Sequence, residues 1–210
     1  RAFKTKVLVC DRLLHQFFYM ETVAPSISRA CPFDVLRCSS ADTNYPATNL
    51  QRRSTQQKGW VVQRFCEYPQ KLIIELKHPS HIEKIDLIAH EMLVPRQVDI
   101  YISNPIGEEE EDLVDVDSIV WKRLGHVNFT TPEGREVAAR ELKGVYLDVD
   151  CRFVRFDLQR PHISKNNLFG QVSLCNVVPC GVRLKREKHD SLSKQYKTLQ
   201  EEKKRRRRGK

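Results

Sequence analysis

Residues Lys71 to Ser103 read KLIIELKHPSHIEKIDLIAHEMLVPRQVDIYIS, and three runs within them alternate apolar and polar side chains. Leu72, Ile74 and Leu76 share one face of the first run. Ile85, Leu87 and Ala89 do so in the second, and Val98, Ile100 and Ile102 in the third. Strand side chains point to opposite faces with a period of two, so each run reads as a half-buried β-strand. Two turn clusters separate the runs, His78-Pro79-Ser80-His81 and Val94-Pro95-Arg96. Proline fixes φ and has no amide donor, which makes it punctuation in a strand pattern. The spacing predicts a three-stranded meander over this stretch.

The same pattern extends outward on both sides. Upstream, Phe33–Cys38 reads as a strand. Downstream, Ile119–Gly125 restarts the sheet and Val127 and Phe129 continue it. Arg140–Asp148 and Cys151–Leu158 follow each other so closely that a hairpin is expected, and Gln171–Val178 is a last strand, ended by Pro179 and Gly181. About eight short strands with turn signals between them and little helix make an all-β, antiparallel chain, a sandwich or a barrel. The connections Gln51–Arg64 and Gln159–Gly170 are long for hairpins, which favours a double-sheet jelly roll. Trp60, Phe65 and Tyr68 are expected to be core or rim packing.

Three segments result. Residues 1–31 are expected to be an unstructured leader or a short helix, with Val7, Leu14 and Phe18 on one side. Residues 32–182 form the jelly-roll sandwich. Residues 183–210 change character: they are charged and lack proline, and Leu192, Tyr196 and Leu199 stand at i, i+4 and i+7. That is one seam of a basic helix, capped by Asp190 or Ser191, and it is shorter than the three heptads that would establish a coiled coil from spacing alone.

The net charge of +9 belongs to that last segment. From Arg183 onward there are thirteen Lys/Arg and four Asp/Glu, whereas the preceding 182 residues hold 23 of each sign. The folded body is therefore neutral, and its partners cannot be argued from the overall charge. No run approaches the roughly eighteen apolar residues that a membrane span needs, so no membrane partner is expected. The basic start is interrupted by Asp11, Arg12, His15 and Gln16 and is not read as a secretory signal. Seven cysteines with no Cys-x-x-Cys pair read as reduced thiols of a cytosolic protein.

No enzyme constellation stands out. The sequence has no glycine-rich phosphate loop, no Gly-x-Ser-x-Gly and no His-Glu-x-x-His. Neither catalytic residues, cofactors nor metal ligands are assigned. His78 and His81 read as a solvated turn, and His90 as a hydrogen-bonded histidine at a strand end. The acidic run Glu108–Asp112, with Asp115 and Asp117, lacks the glycine of a tight calcium loop and reads as a solvated loop. The strongest charge feature is the cluster Lys203, Lys204, Arg205, Arg206, Arg207 and Arg208. It is the candidate partner-binding site. It suits an acidic protein surface such as the tails of tubulin, a nuclear localisation signal, or nucleic-acid phosphates. The neutral body disfavours nucleic acid.

Several stretches, in order, resemble one family. They are Arg64-Phe65-Cys66-x-x-Pro69-Gln70, Leu87-Ile88-Ala89-His90, Val98–Ser103, Arg140–Asp148 and Asn166–Leu174 (NNLFGQVSL). From about Phe33 to Val178 the chain is similar to the N-terminal domain family of the 104 kDa centrosomal proteins of centrioles and ciliary tips. The resemblance implies a discoidin-like jelly roll followed by a coiled coil. It also implies a cytoskeletal setting: cytoplasm, centrosome or centriole, and cilium with its basal body and tip. The expected function is a non-enzymatic protein-binding module in cilium assembly and microtubule-end organisation. Ciliary or centriolar proteins are its partners, microtubules are met through the basic tail, and a homodimer forms through the coiled coil. The loops Gln51–Lys58 and Glu108–Asp117 are the expected contact surface. The alternatives are a lectin-like domain for carbohydrate or lipid headgroups, argued from fold alone, and a nucleic-acid-associated protein acting through the tail.

Overall fold

The computed structural model describes residues 8–13, 29–51, 59–104, 115–131 and 140–184. Among the described residues nine strands are antiparallel throughout: β1 (Leu8–Leu13), β2 (Arg29–Ala30), β3 (Phe33–Cys38), β4 (Trp60–Val61), β5 (Gln70–Ala89), β6 (Gln97–Ser103), β7 (Lys122–Asn128), β8 (Glu141–Leu158) and β9 (Ser173–Arg183). The only helical elements among the described residues are two 3-10 turns, Ala47–Gln51 and Val116–Ser118.

Two very long strands, β5 and β8, carry the architecture. Their first and last halves pair with different neighbours. The N-terminal half of β5 pairs with β3 and with the C-terminal half of β8, and β6 and β7 extend that layer. The C-terminal half of β5 pairs with β9 and with the N-terminal half of β8. Strands β1, β2 and β4 complete the second layer. The two strands thus turn one corner together, between Glu75 and Ser80 in β5, where the register against β8 shifts. Burial shows the same corner. In β8 the odd positions from Val145 to Phe153 are buried, and then the even positions Val154, Phe156 and Leu158. A one-residue phase change sends the next side chains to the opposite face of the strand, which keeps them inward after the bend. Between the layers lies one core that includes Trp60, Leu72, Ile74, Ile85, Leu87, Val98, Ile100, Val145, Phe156 and Leu174. Burying each large apolar side chain contributes about 1.5–3 kcal/mol.

The antiparallel jelly roll is as expected; several connections are not. Pro79 does not end a strand. It sits at the corner of β5, where the ladder is already interrupted and a missing amide costs little. Two of the three expected meander strands are therefore one strand, and β6 reaches the sheet across β8 rather than beside β5. The expected hairpin over Arg140–Leu158 is likewise the single strand β8, because the alternation of buried and outward positions continues unbroken through Asp148-Val149-Asp150. Strand β9 runs through Pro179 and Gly181 to Arg183. Pro179 uses its carbonyl to accept from the Cys31 amide (2.7 Å). A Cβ at Gly181 would come within 2.0 Å of the His81 carbonyl oxygen, so glycine permits the β5–β9 approach.

In the expected leader, Leu8–Leu13 is a strand rather than a helix or unstructured chain, and it pairs with Glu141–Tyr146 of β8, an edge that β6 leaves open. Arg29–Ala30 pairs with Cys180 and Gly181. The basic helix and coiled coil expected beyond Leu184 lie outside the described residues.

Candidate functional site

Two loops meet at one end of the sandwich. The first, residues 62–69, joins β4 to β5; the second, residues 159–172, joins β8 to β9. They are tied by several bonds. The Val62 amide donates to the Val172 carbonyl (3.1 Å) and the Phe65 amide to the Phe169 carbonyl (3.0 Å). Gln171 Nε2 donates to the Val62 carbonyl (2.7 Å), and the Tyr68 hydroxyl to the Gly170 carbonyl (2.5 Å). Asn167 holds its own loop closed, donating from Nδ2 to the Gln171 carbonyl (2.7 Å) and accepting from the Gln171 amide (2.9 Å). Burial, with Cys66 beside it, pushes the Tyr68 hydroxyl well above its usual range, so it stays protonated and keeps donating.

This scaffold holds large apolar side chains in water. Phe65 is 77% exposed and Leu168 78%. Ile163 of the same second loop is exposed as well, and Phe169 is partly so. The ring of Phe65 meets that of Phe169 edge-on at 5.6 Å, and the Arg64 guanidinium stacks on Phe169 at 4.3 Å. Phe65 has a φ of 55°, the left-handed region that a bulky residue rarely occupies. Backbone strain together with an exposed aromatic side chain is a combination found at binding sites.

A second concavity lies on the outer face of the first layer. It is a groove of about 560 Å³ lined by Arg37, Lys71, Ile73, Ile119, Trp121 and Arg155, among others, with Asp117 at one side. Arg155 stacks on Tyr101 (4.0 Å) and stands 5.2 Å from the Trp121 ring, while Asp157 pairs with its Nε (2.9 Å) and accepts from Nη2 (3.1 Å). On the neighbouring rung Asp99 accepts from Arg123 (2.5 Å) and Gln159 (2.8 Å). Burial pushes the Asp99 carboxyl up, but hydrogen bonds from Arg123, Gln159 and Gln97 outweigh it and hold the group below the usual carboxylate range. For Asp157 burial wins over Arg155 and Lys71, and its carboxyl is raised.

The residues expected from sequence fall as follows. Lys203–Arg208 lie outside the described residues, as do 52–58 and 108–114 of the two expected contact loops. Of the remainder, Gln51 donates to Asp34 (2.7 Å) and Asp117 pairs with Arg37 (2.6 Å). Trp60 is core, as expected, and donates from Nε1 to the Ser40 carbonyl (2.9 Å). Tyr68 is at the rim. Phe65 is neither, because its left-handed backbone turns the ring outward. His90 is hydrogen-bonded just after β5, accepting from the Met92 amide (3.1 Å). His81 is not a solvated turn residue: Asp150 lies 2.6 Å from its Nδ1. Cys31, Cys38, Cys66, Cys151, Cys175 and Cys180 are free thiols. Burial raises the Cys151 thiol and pushes Cys175 up to about 11, so both are unreactive. Among the described residues no group of three or more His, Cys, Asp or Glu is placed to hold a metal ion.

Residues 59–181, which include both loops of the apolar tip, match the family described as Centrosomal protein CEP104, N-terminal domain. The mouse Centrosomal protein of 104 kDa is 30% identical over 142 residues, covering 68% of this chain and 15% of that protein. The chain thus spans about 15% of the length of the curated relatives it matches. Two solved structures share the fold. Reduced XRCC1 bound to the DNA polymerase β catalytic domain aligns with a TM-score of 0.53 at 15% identity, covering 72% of this chain and 97% of that one. The family 32 carbohydrate-binding module of NanJ from C. perfringens, in complex with galactose, aligns with a TM-score of 0.52 at 13% identity, covering 73% and 99%. Likeness at such identity shows a discoidin-like jelly roll and nothing of the ligand.

Proposed function

The chain belongs to the family of the N-terminal domain of centrosomal protein CEP104, a centrosomal and ciliary protein domain, and from that premise we propose that it is a non-enzymatic docking module. The apolar loop tip around Phe65 and Phe169 receives a protein partner at the centriole or cilium. The observation that supports this most directly is Phe65, a large ring 77% exposed and held outward by a backbone at φ 55°. Exposed rigid aromatics next to an arginine are the residue types that dominate protein interfaces. The two motifs that build the tip, around Arg64 and around Phe169, lie about a hundred residues apart and converge only in the fold.

The partner's role in cilium assembly and microtubule-end organisation belongs to the same proposal. So does the assignment of salt-sensitive microtubule affinity to Lys203–Arg208, with a coiled coil from residue 183 onward that dimerises the chain. A carbohydrate reading rests on fold likeness alone.

Proximity labelling in ciliated cells tests the docking module. The chain fused to a biotin ligase is compared with its Phe65→Ser, Phe169→Ser double variant. The variant is expected to fold, with a single cooperative melt at a temperature somewhat below that of the parent, and to lose the centriolar and ciliary proteins that the parent labels. An unchanged labelled set in a folded variant removes the tip as the docking site.

A further inference from the structure

The outer-face groove is a second site, independent of the loop tip. We propose that it binds an acidic peptide segment carrying an aromatic or aliphatic side chain, with carboxylates meeting Arg37, Lys71 and Arg155 and the apolar side chain lying against Ile73, Ile119 and Trp121.

Three strands contribute one cation each to the groove: Arg37 from β3, Lys71 from β5 and Arg155 from β8. The lining holds one carboxylate, Asp117, and Asp157 pairs with Arg155 beside it, so cations remain in excess. The first 182 residues are neutral as a whole, so this is a local concentration of charge and not a sample of a basic surface.

Each cation is differently disposed. Lys71 is exposed and forms no direct salt bridge among the described residues; its register partner on β8 is Asp157. Arg37 is half-exposed and pairs with an Asp117 whose side chain is 77% exposed. Such a surface pair contributes only about 0–1 kcal/mol and yields easily to an incoming carboxylate. Arg155 is nearly buried and clamped between Asp157 on one edge and the rings of Tyr101 and Trp121 on its faces. A guanidinium fixed in this way loses little freedom on binding. Ile73 and Ile119 are buried and give the groove an apolar wall between these cations. Its volume of about 560 Å³ lies within the range of ligand pockets, roughly 300–1,000 Å³. A nucleic acid would need a longer track of cations along its phosphates than three on a neutral body.

Tryptophan fluorescence tests the proposal in the whole chain. The sequence has two tryptophans. Trp60 is fully buried and Trp121 lines the groove, so a ligand there reports through Trp121. The probe is a synthetic peptide of six glutamates with one central leucine. It is titrated into the parent, into Arg37→Gln with Lys71→Gln, into Trp121→Phe, and into a chain with Lys203–Arg208 replaced by Gln. Thermal melts establish that each variant is folded. The parent and the tail variant should both show a saturable emission shift. The double variant should bind about tenfold more weakly, and Trp121→Phe should lose the signal. Three results overturn the proposal: a shift that survives the double variant unchanged, a shift abolished by the tail replacement alone, or no shift at all. A single-stranded oligonucleotide of equal charge that displaces the peptide at lower concentration assigns the groove to nucleic acid instead and equally overturns it.

Discussion

Replacing Phe65 separates stability from binding. The ring is 77% exposed, so truncation forfeits under a quarter of its surface. At about 200 Å² per phenylalanine and ~25 cal/mol/Å², that is about 1 kcal/mol. Loss of the edge-on contact with Phe169 adds roughly 0.5–1.5 kcal/mol. Against this, a side chain in the left-handed region costs about 1–2 kcal/mol, which glycine alone escapes. Glycine gives back roughly 0.5–1 kcal/mol through its freer unfolded state. Phe65→Gly is therefore expected to be as stable as Phe65→Ala or more so, by up to about 1 kcal/mol. This inverts the usual order of the two residues. Both should stay within about 2.5 kcal/mol of the parent, whereas Phe156→Ala, in the core, should lose about 3–5 kcal/mol. Urea unfolding followed by tryptophan emission measures all three, and both Phe65 variants should lose partner labelling equally. A Phe65→Ala loss as large as that of Phe156→Ala would show that the ring is structural. Alanine clearly more stable than glycine would show that the backbone is not left-handed, and the outward aromatic would lose its physical cause.

Further outcomes follow from the same geometry. Gly181→Ala should destabilise by about 1–3 kcal/mol, as overpacking does, because the new Cβ meets the His81 carbonyl at 2.0 Å; a neutral melting shift would refute the close approach. Asp99 and Asp157 should respond to pH with opposite sign. The Asp99 carboxyl is depressed, so its stabilisation is present above the unfolded value and is lost as pH falls through the folded one. The Asp157 carboxyl is raised, so its protonated form favours folding and that contribution disappears as pH rises through the folded value. Unfolding at pH 7, pH 4 and pH 2 should find that Asp99→Asn costs stability at pH 7 and pH 4 and much less at pH 2. Asp157→Asn should fall further behind the parent at pH 4, and parallel pH profiles would contradict both. Finally, the whole chain should co-sediment with stabilised microtubules at low salt and be released at moderate salt. A chain ending at Leu184 should stay in the supernatant, and equal pelleting would move the contact onto the jelly roll.

The strands were legible because their signal is local. Leu72, Ile74 and Leu76, or Val98, Ile100 and Ile102, declare a face by spacing alone, and these faces became the core. The corners were not legible, because a strand that bends between two layers looks in sequence like two strands with a break. Pro79 supplied an apparent break in β5. In β8 the mark was subtler: the buried set passes from odd to even positions between Phe153 and Val154. A hairpin would also change phase, but at its turn residues, and the change falls within Cys151–Phe156, which has none, rather than at Asp148-Val149-Asp150. A phase change without turn chemistry is the sequence signature of a strand rounding a corner, and it distinguishes the two cases here.

Neither candidate site could be read in the same way, since both depend on contacts between distant segments. Phe65 carries no periodic signal. Its exposure goes with a backbone angle held by a hydrogen bond from its amide to the Phe169 carbonyl, far along the chain. The groove gathers Arg37, Lys71 and Arg155 onto one face only because β5 lies between β3 and β8, with Lys71 opposite Asp157 in the ladder. The charge that sequence does show, the cluster Lys203–Arg208, is one that any neighbouring acidic surface can attract with little geometric selection. The cations of the groove are fewer, but Arg155 among them is fixed by two rings and a carboxylate beside an apolar wall, so the groove can discriminate between acidic ligands. A chain with both can capture an acidic surface broadly through the tail and select a particular segment at the groove. The two contributions should therefore separate by salt, the tail's fading more steeply because it brings more charges to the contact.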